Sequence, residues 1–311
     1  MEIKKEKENK KYAKIKDTEK FGYFFIAPFF IVFAIFNLYP TLNTIYLSFY
    51  NIAGFSNEGT FVGLNNYANL LKNSLFIKSV TNTLILWAMN FIPQLIVSMI
   101  LAYWFTNARL NLKGQGFFKS AFYLPNIITA ASVAVIFYAL FSYPRGPINL
   151  LLINLNILEG PYDFFRNETF TRGLVSFIQF WMWYGQTAIV LIAGILSIDK
   201  SLYEAAEVDG ATPWQSFRKI TLPLLKPITL YVLITSLVGG LQMFDIPLLL
   251  TNGGPNGSVE TVLTYIYKQA FQGGRNISIA SAASIYLLLL TIIMSVIIFA
   301  IMREKKPKGD K

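Results

Sequence analysis

The sequence predicts an all-α integral membrane protein with six spanning helices and both termini in the cytoplasm, and three observations predict it. Hydrophobic residues make up 54% of the 311 positions and charged residues only 14%, where a soluble domain has about 25% charged. Six charge-free stretches approach the length of about 20 mainly apolar residues that a spanning helix needs. The Lys and Arg residues are unevenly shared between the loops that join those stretches, which sets direction.

The stretches lie within Phe21–Asn57, Ser79–Ala108, Ser120–Pro144, Gly173–Ile198, Pro227–Phe244 and Ile277–Met302. The fifth is the shortest and has to borrow from Leu222–Leu225 or from beyond Asp245. An inside N-terminus puts the eight lysines from Lys4 to Lys20 in the cytoplasm. With them go Arg109, Lys113, Lys119, Lys200, Arg218, Lys219, Lys226 and the five basic residues from Arg303 to Lys311. Only Lys72, Lys78, Arg145, Arg166, Arg172, Lys268 and Arg275 then face outward, which makes the split decisive. Residues 1–20 read as a basic, disordered cytoplasmic tail, 21–302 as the six-span domain and 303–311 as a second cytoplasmic tail. The first apolar run is too long for the core of a cleavable signal.

Prolines fall inside or beside several spans, at Pro28, Pro40, Pro93, Pro125 and Pro227. Each removes a backbone donor and bends its helix; the bends either serve packing or wrap the helices around a cavity. Outside, "TNGGPNG" (Thr251–Gly257) is a turn on composition. "SVETVLTYIYKQAF" (Ser258–Phe271) reads as a short amphipathic helix that lies at the outer membrane surface or touches a partner.

Cys and His are both absent, which excludes thiol nucleophiles, disulfides, Cys/His metal sites and imidazole catalysis. No phosphate-cradling G-x-x-x-x-G-K-[ST] occurs, and no expected span interior holds Lys, Arg, Asp or Glu. Ion-coupled pumps and intramembrane hydrolases generally need an ionisable group at depth. A passive pore and a subunit driven by another protein remain. The charge of +10 reads as membrane-flanking lysine, since it is not interleaved with aromatics as a base-stacking surface would be.

One polar stretch, residues 199–227, separates the fourth and fifth spans. Ser201-Leu-Tyr-Glu204 matches a capping box and predicts a short helix over 202–208, ended by Gly210. Thr212-Pro213-Trp214-Gln215 matches a second box, with proline at the first helical position. Trp214, Phe217 and Ile220 or Thr221 share a face, and Pro223 is expected to stop or kink that helix. The charges at Glu204, Glu207, Asp209, Arg218 and Lys219 keep the pair out of the bilayer. Two readings stand: a docking element for a soluble cytoplasmic partner, or an interfacial pair packed on the protein's own spans.

This stretch closely resembles the EAA loop of the membrane subunits of ABC importers. Glu204, Ala205, Ala206, Asp209, Gly210, Ala211, Phe217, Ile220, Leu222, Pro223 and Pro227 match its pattern without departure. "PFFIVFAIFNLYPTLNTIYLSF" (Pro28–Phe49), "FVGLNNY" (Phe61–Tyr67) and "LLTNGGPNGSVETVLTYIYKQAF" (Leu249–Phe271) look like the branch that handles maltose, other oligosaccharides and glycerol-3-phosphate. The resemblance implies the type I importer permease fold in the cell membrane. It also implies a second permease chain, two ATPase subunits that hold ATP and magnesium, and an extracytoplasmic binding protein. This chain would itself bind no cofactor and perform no catalysis, and Glu204 would pair with an arginine of the ATPase.

A candidate substrate site follows from the fourth span, where Gln179, Met182, Trp183 and Gln186 share one helical face. They lie about 9–20 Å into the span at about 1.5 Å per residue. Two glutamines at that depth need a partner, either a neighbouring helix or a substrate path. By resemblance the pocket also takes Asn126 from the third span and Ser236, Gly239, Gly240 and Met243 from the fifth. Gly239-Gly240 could equally serve close helix approach. These residues are all neutral, which favours an uncharged oligosaccharide over glycerol-3-phosphate; an intramembrane enzyme is the reading from another class.

Overall fold

The computed structural model describes residues 21–52, 59–107, 113–272 and 275–303. The expected tails, apart from Arg303, and the expected span ends Asn57 and Ala108 lie outside the described residues. Among the described residues, five helices are long and apolar enough to cross a membrane. They are α1 (Phe21–Ser48), α3 (Ser74–Thr106), α7 (Glu168–Leu196), the broken helix over Lys226–Thr251, and α13 (Ile277–Met302). A sixth apolar unit, α4 (Gln115–Ile127) with α5 (Ala130–Phe141), is bent by 89°. The chain is mostly helical, apart from an antiparallel ribbon of two residues per strand that pairs Tyr50 with Phe61 and Asn51 with Thr60.

Proline explains where these helices depart from regularity. In α1 a π-turn at Ala34–Leu38 comes just before Pro40, widening the helix where a backbone donor is missing. Pro93 sits inside α3 without ending it. The third apolar stretch, expected as one span over Ser120–Pro144, is instead divided. α4 stops two residues after Pro125, Ile128 is extended, and the Thr129 hydroxyl caps α5 by accepting from the Ser132 N–H.

The fifth stretch gains its length from beyond Asp245, one of the two sources expected, and its span begins at Lys226 rather than within Leu222–Leu225. α10 (Lys226–Leu241) is followed by a break at 242–244 and by α11 (Asp245–Thr251). Asp245 therefore lies within the span Lys226–Thr251, which corrects the expectation that no span interior is charged. The charge-free stretch stops at Phe244, whereas the span runs on past the break to Thr251.

Around the core, α3 packs along α7, α4 also packs on α7, and α13 packs on α1, α10 and the outer helix α12 (Val262–Phe271). Phe91, Ala102, Leu191, Ile192, Ile195, Leu225 and Val232 form one apolar cluster. Leu86, Val133, Ile178, Met182, Met243 and Ile246 belong to another. A third surrounds Tyr265, with Phe76, Leu237, Ala282 and Ala283. No residue over 21–47 of α1 is buried, so its phenylalanines face lipid or another chain.

The outer amphipathic helix forms within the expected segment. Val262, Thr264 and Tyr265 of α12 are buried against this chain's own helices, so its apolar face is consumed in the core. The turn before it is tied down by side chains. Arg172 donates to the Ser258 carbonyl (2.8 Å) and to Asn82 Oδ1 (2.9 Å). Asn82 donates in turn to the carbonyls of Gly257 and Glu260. Lys268 pairs with Glu260 at 3.0 Å and donates to the Asn252 carbonyl. At its far end the Thr261 hydroxyl donates to the Met243 carbonyl, 2.6 Å away. That bond satisfies an acceptor freed by the break in the fifth span.

Candidate functional site

The polar loop forms two short helices, α8 (Lys200–Val208) and α9, which runs over 213–224. The first cap is Asp199 rather than Ser201: its carboxylate accepts from the Ser201 N–H at 2.9 Å. Hydrogen bonds from Ser201 hold the Asp199 carboxyl below its ordinary pKa. A carboxylate two residues earlier outcompetes the hydroxyl because it accepts more strongly, which frees Glu204 from a capping duty.

The far end of α8 closes as a Schellman motif. Ala211 N–H donates to the Ala206 carbonyl (2.8 Å) and Gly210 N–H to that of Glu207 (3.0 Å), with Gly210 at φ +78°. The second box forms as the sequence predicts. Gln215 N–H donates to Thr212 Oγ1 and Thr212 N–H to Gln215 Oε1, with Pro213 at the first position. Pro223 does not stop α9. A π-turn at Phe217–Thr221 precedes it, and the chain continues through Leu224 into α10.

Phe217 and Thr221 are buried. The Phe217 ring meets Tyr103 of α3 edge-on (4.8 Å between centroids) and stacks on Trp214. Tyr203 and Thr221 hydroxyls, 2.8 Å apart, lock the two short helices together. Glu204, Ala205, Asp209, Gly210, Leu222 and Pro223 are exposed, whereas Ala206, Ala211 and Ile220 are half-buried. Val208 is 88% exposed and Trp214 61%, so the pair packs one face on its own spans and leaves apolar side chains uncovered on another. Behind it lies a cavity of about 350 Å³ bordered by Tyr103, Tyr203, Glu204, Glu207 and Phe217.

A second cavity, of about 300 Å³, lies between α3, α7, α10 and the break in the fifth span. Gln179, Met182, Trp183, Gln186, Ser236, Gly239, Gly240 and Met243 all line it. Their roles are unequal. Met182 and Met243 are buried members of an apolar cluster and form its wall. Gly240 is pressed against the Trp87 ring, so its hydrogen serves helix approach, whereas Gly239 faces open space. Asn126 is not brought to the cavity: it is half-buried and donates to the Met182 carbonyl at 3.3 Å. The helix break that follows turns the chain away, and Ala130 lines the cavity instead.

Sequence reasoning missed Asn90 and Gln94, one turn apart on α3, together with Thr187, Tyr231, Thr235, Gln242 and Asp245. Asn90 donates to its own helix at Leu86, and Gln94 donates to the Thr187 hydroxyl at 2.7 Å. The signal was present, since two amides at helical spacing in an apolar run are costly unless satisfied. Asp245 also corrects the expectation of an all-neutral pocket. The side-chain amides of Gln179, Gln186 and Gln242 show no hydrogen-bond partner among the described residues, so they can bond to a solute. A cavity walled by amides and hydroxyls, opening beside a broken helix, is what a polar pathway through a helical bundle requires.

Fold and site together define a multi-pass membrane transport subunit. The family model described as "Binding-protein-dependent transport system inner membrane component" matches residues 67–306, and the chain belongs to that family. It is 31% identical over 287 residues to the lactose transport system permease protein LacF of Rhizobium radiobacter, covering 92% of this chain and 95% of LacF. It is 33% identical over 289 residues to the arabinooligosaccharides transport system permease protein AraP of Bacillus subtilis, covering 92% and 90%. Among solved structures, a bacterial ABC transporter involved in import of the acidic polysaccharide alginate superposes with a TM-score of 0.80 at 25% identity, covering 96% of this chain and all of that one.

Proposed function

We propose that this chain is the permease subunit of an ATP-driven importer that carries a saccharide, with an oligosaccharide as the cargo class. The observation that carries the reading is the cavity beside the break at 242–244. Free amides there can both donate to and accept from sugar hydroxyls, and the half-exposed Trp183 offers a ring for C–H faces. Relatives named for lactose and arabinooligosaccharide transport support it.

The reading counts α4 and α5 as one broken span, six in all, with both termini cytoplasmic, and the uneven share of basic residues between the loops supports it. Residues 21–302 form the permease domain, with 199–227 as its coupling loop. A partner ATPase, holding ATP and magnesium, receives the exposed side of α8 and α9, and Glu204 meets a cation there. Closure of the ATPase pair moves a loop stiffened by three caps and a shared hydroxyl bond. The motion enters the bundle through Phe217 on Tyr103 and through α9 running directly into α10. A second permease chain completes the pathway, and an extracytoplasmic binding protein delivers the sugar.

The test is reconstitution with candidate ATPase, second permease and binding protein, with ATP hydrolysis measured against a panel of saccharides. Sugar-loaded binding protein should raise hydrolysis. Full-speed solute flux without any ATPase would overturn the reading.

A further inference from the structure

We propose that Asp245 makes this chain's side of the pathway exclude anions, so that the saccharide it passes is uncharged. The inference rests on the saccharide reading above and narrows its substrate class.

The cavity lining holds one carboxylate and neither Lys nor Arg. Asp245 is exposed to that space and shows neither an ion pair nor a hydrogen-bond donor among the described residues. Among the described residues Glu260 is engaged by Lys268, Asp163 by Arg166, Glu168 by Asn256 and Asp199 by Ser201, whereas Glu159, Glu204 and Asp209 are exposed away from this cavity. A position at the start of α11 suits a carboxylate electrostatically, but a helix start needs no opening onto a cavity.

An ionised carboxylate only accepts hydrogen bonds. Sugar hydroxyls donate, so a neutral saccharide satisfies Asp245 while the neighbouring amides take its remaining donors and acceptors. A uronate or phosphate brings a second negative charge beside Asp245, and like charges at contact distance repel even where water screens them. The alginate importer shares the fold although its cargo is acidic. The fold therefore does not set charge preference, and side chains at this wall do.

The chain contains no cysteine, so Gln242→Cys places a single thiol of this chain in the same cavity. In the assembled transporter, its labelling by cationic and anionic methanethiosulfonate reagents is followed from the mass of this chain. Asp245→Asn should lower the cation-to-anion rate ratio roughly fivefold, as a unit charge close by does to local ion concentrations. Asp245→Glu should keep the ratio and serves as the assembly control. Millimolar maltotriose or arabinotriose should slow labelling, and trigalacturonate should do so only after Asp245→Asn. An unchanged ratio in Asp245→Asn, or protection by trigalacturonate with Asp245 intact, overturns the proposal. Absence of protection by either neutral trisaccharide sinks the saccharide reading instead, and the reagent ratio then decides the charge filter alone.

Discussion

Gly185 lies on α7 beside the cavity residue Gln186, where α4 crosses. A methyl group built there falls on the backbone of Phe122, 2.5 Å from its carbonyl carbon and 3.0 Å from Tyr123 N. Ordinary contact begins near 3.4 Å, and backbone cannot rotate away as a side-chain tip can. The Phe122 carbonyl oxygen is closer still, so Gly185→Ala must push α4 off α7 by more than an ångström. Overpacking of this kind costs about 1–3 kcal/mol. The shift also lengthens the Asn126–Met182 bond, already 3.3 Å, and losing it costs about 1 kcal/mol more. A total of about 2–4 kcal/mol is expected. Gly173, on the same helix, has nothing within 4 Å of a built methyl, so Gly173→Ala should be neutral or stabilise by up to about 1 kcal/mol through helix propensity. Thermal unfolding of the two purified variants in one detergent checks the pair. Equal stability of Gly185→Ala and Gly173→Ala would refute the argument from close approach.

Other expectations concern the loops. Glu204→Lys or Gly210→Pro should leave the protein inserted yet separate ATP hydrolysis from uptake. The proline cannot reach φ +78° and loses the bond to the Glu207 carbonyl; wild-type uptake by both variants would count against this. Thr212→Ala should cost about 1 kcal/mol of local helix stability, read as faster amide exchange at Gln215. Arg172→Ala frees Asn82 and the Ser258 carbonyl, so limited proteolysis should begin within 252–260, and an unchanged digestion pattern would speak against the clamp. Because the Asp199 carboxyl is held below its ordinary pKa, its cap is intact above the usual carboxylate range and lost as pH falls through the lowered value. The protection of the Ser201 amide, its exchange rate relative to the intrinsic rate at each pH, should fall only in strong acid, and a fall in protection near neutral pH would contradict it.

Much of this molecule is local, and local features are legible along the chain. The apolar stretches, the Thr212–Gln215 box, the turn at Gly210 and the cavity-facing stripe of α7 all arise within a few residues, from hydrogen-bond spacing and helical period. One expectation fails where two signals compete at short range: Asp199 outbids Ser201 for a cap. Pro223, expected to stop or kink its helix, follows a π-turn.

Long-range geometry was decided by packing alone. Only the fold turned Asn126 onto a backbone carbonyl, laid Trp87 on Gly240, buried the apolar side of α12 and joined Asn90, Gln94 and Asp245 to one cavity. A side chain's periodicity gives the face it occupies on its own helix. What that face meets depends on how far every other helix can approach, and the volumes of residues more than a hundred positions away set that distance.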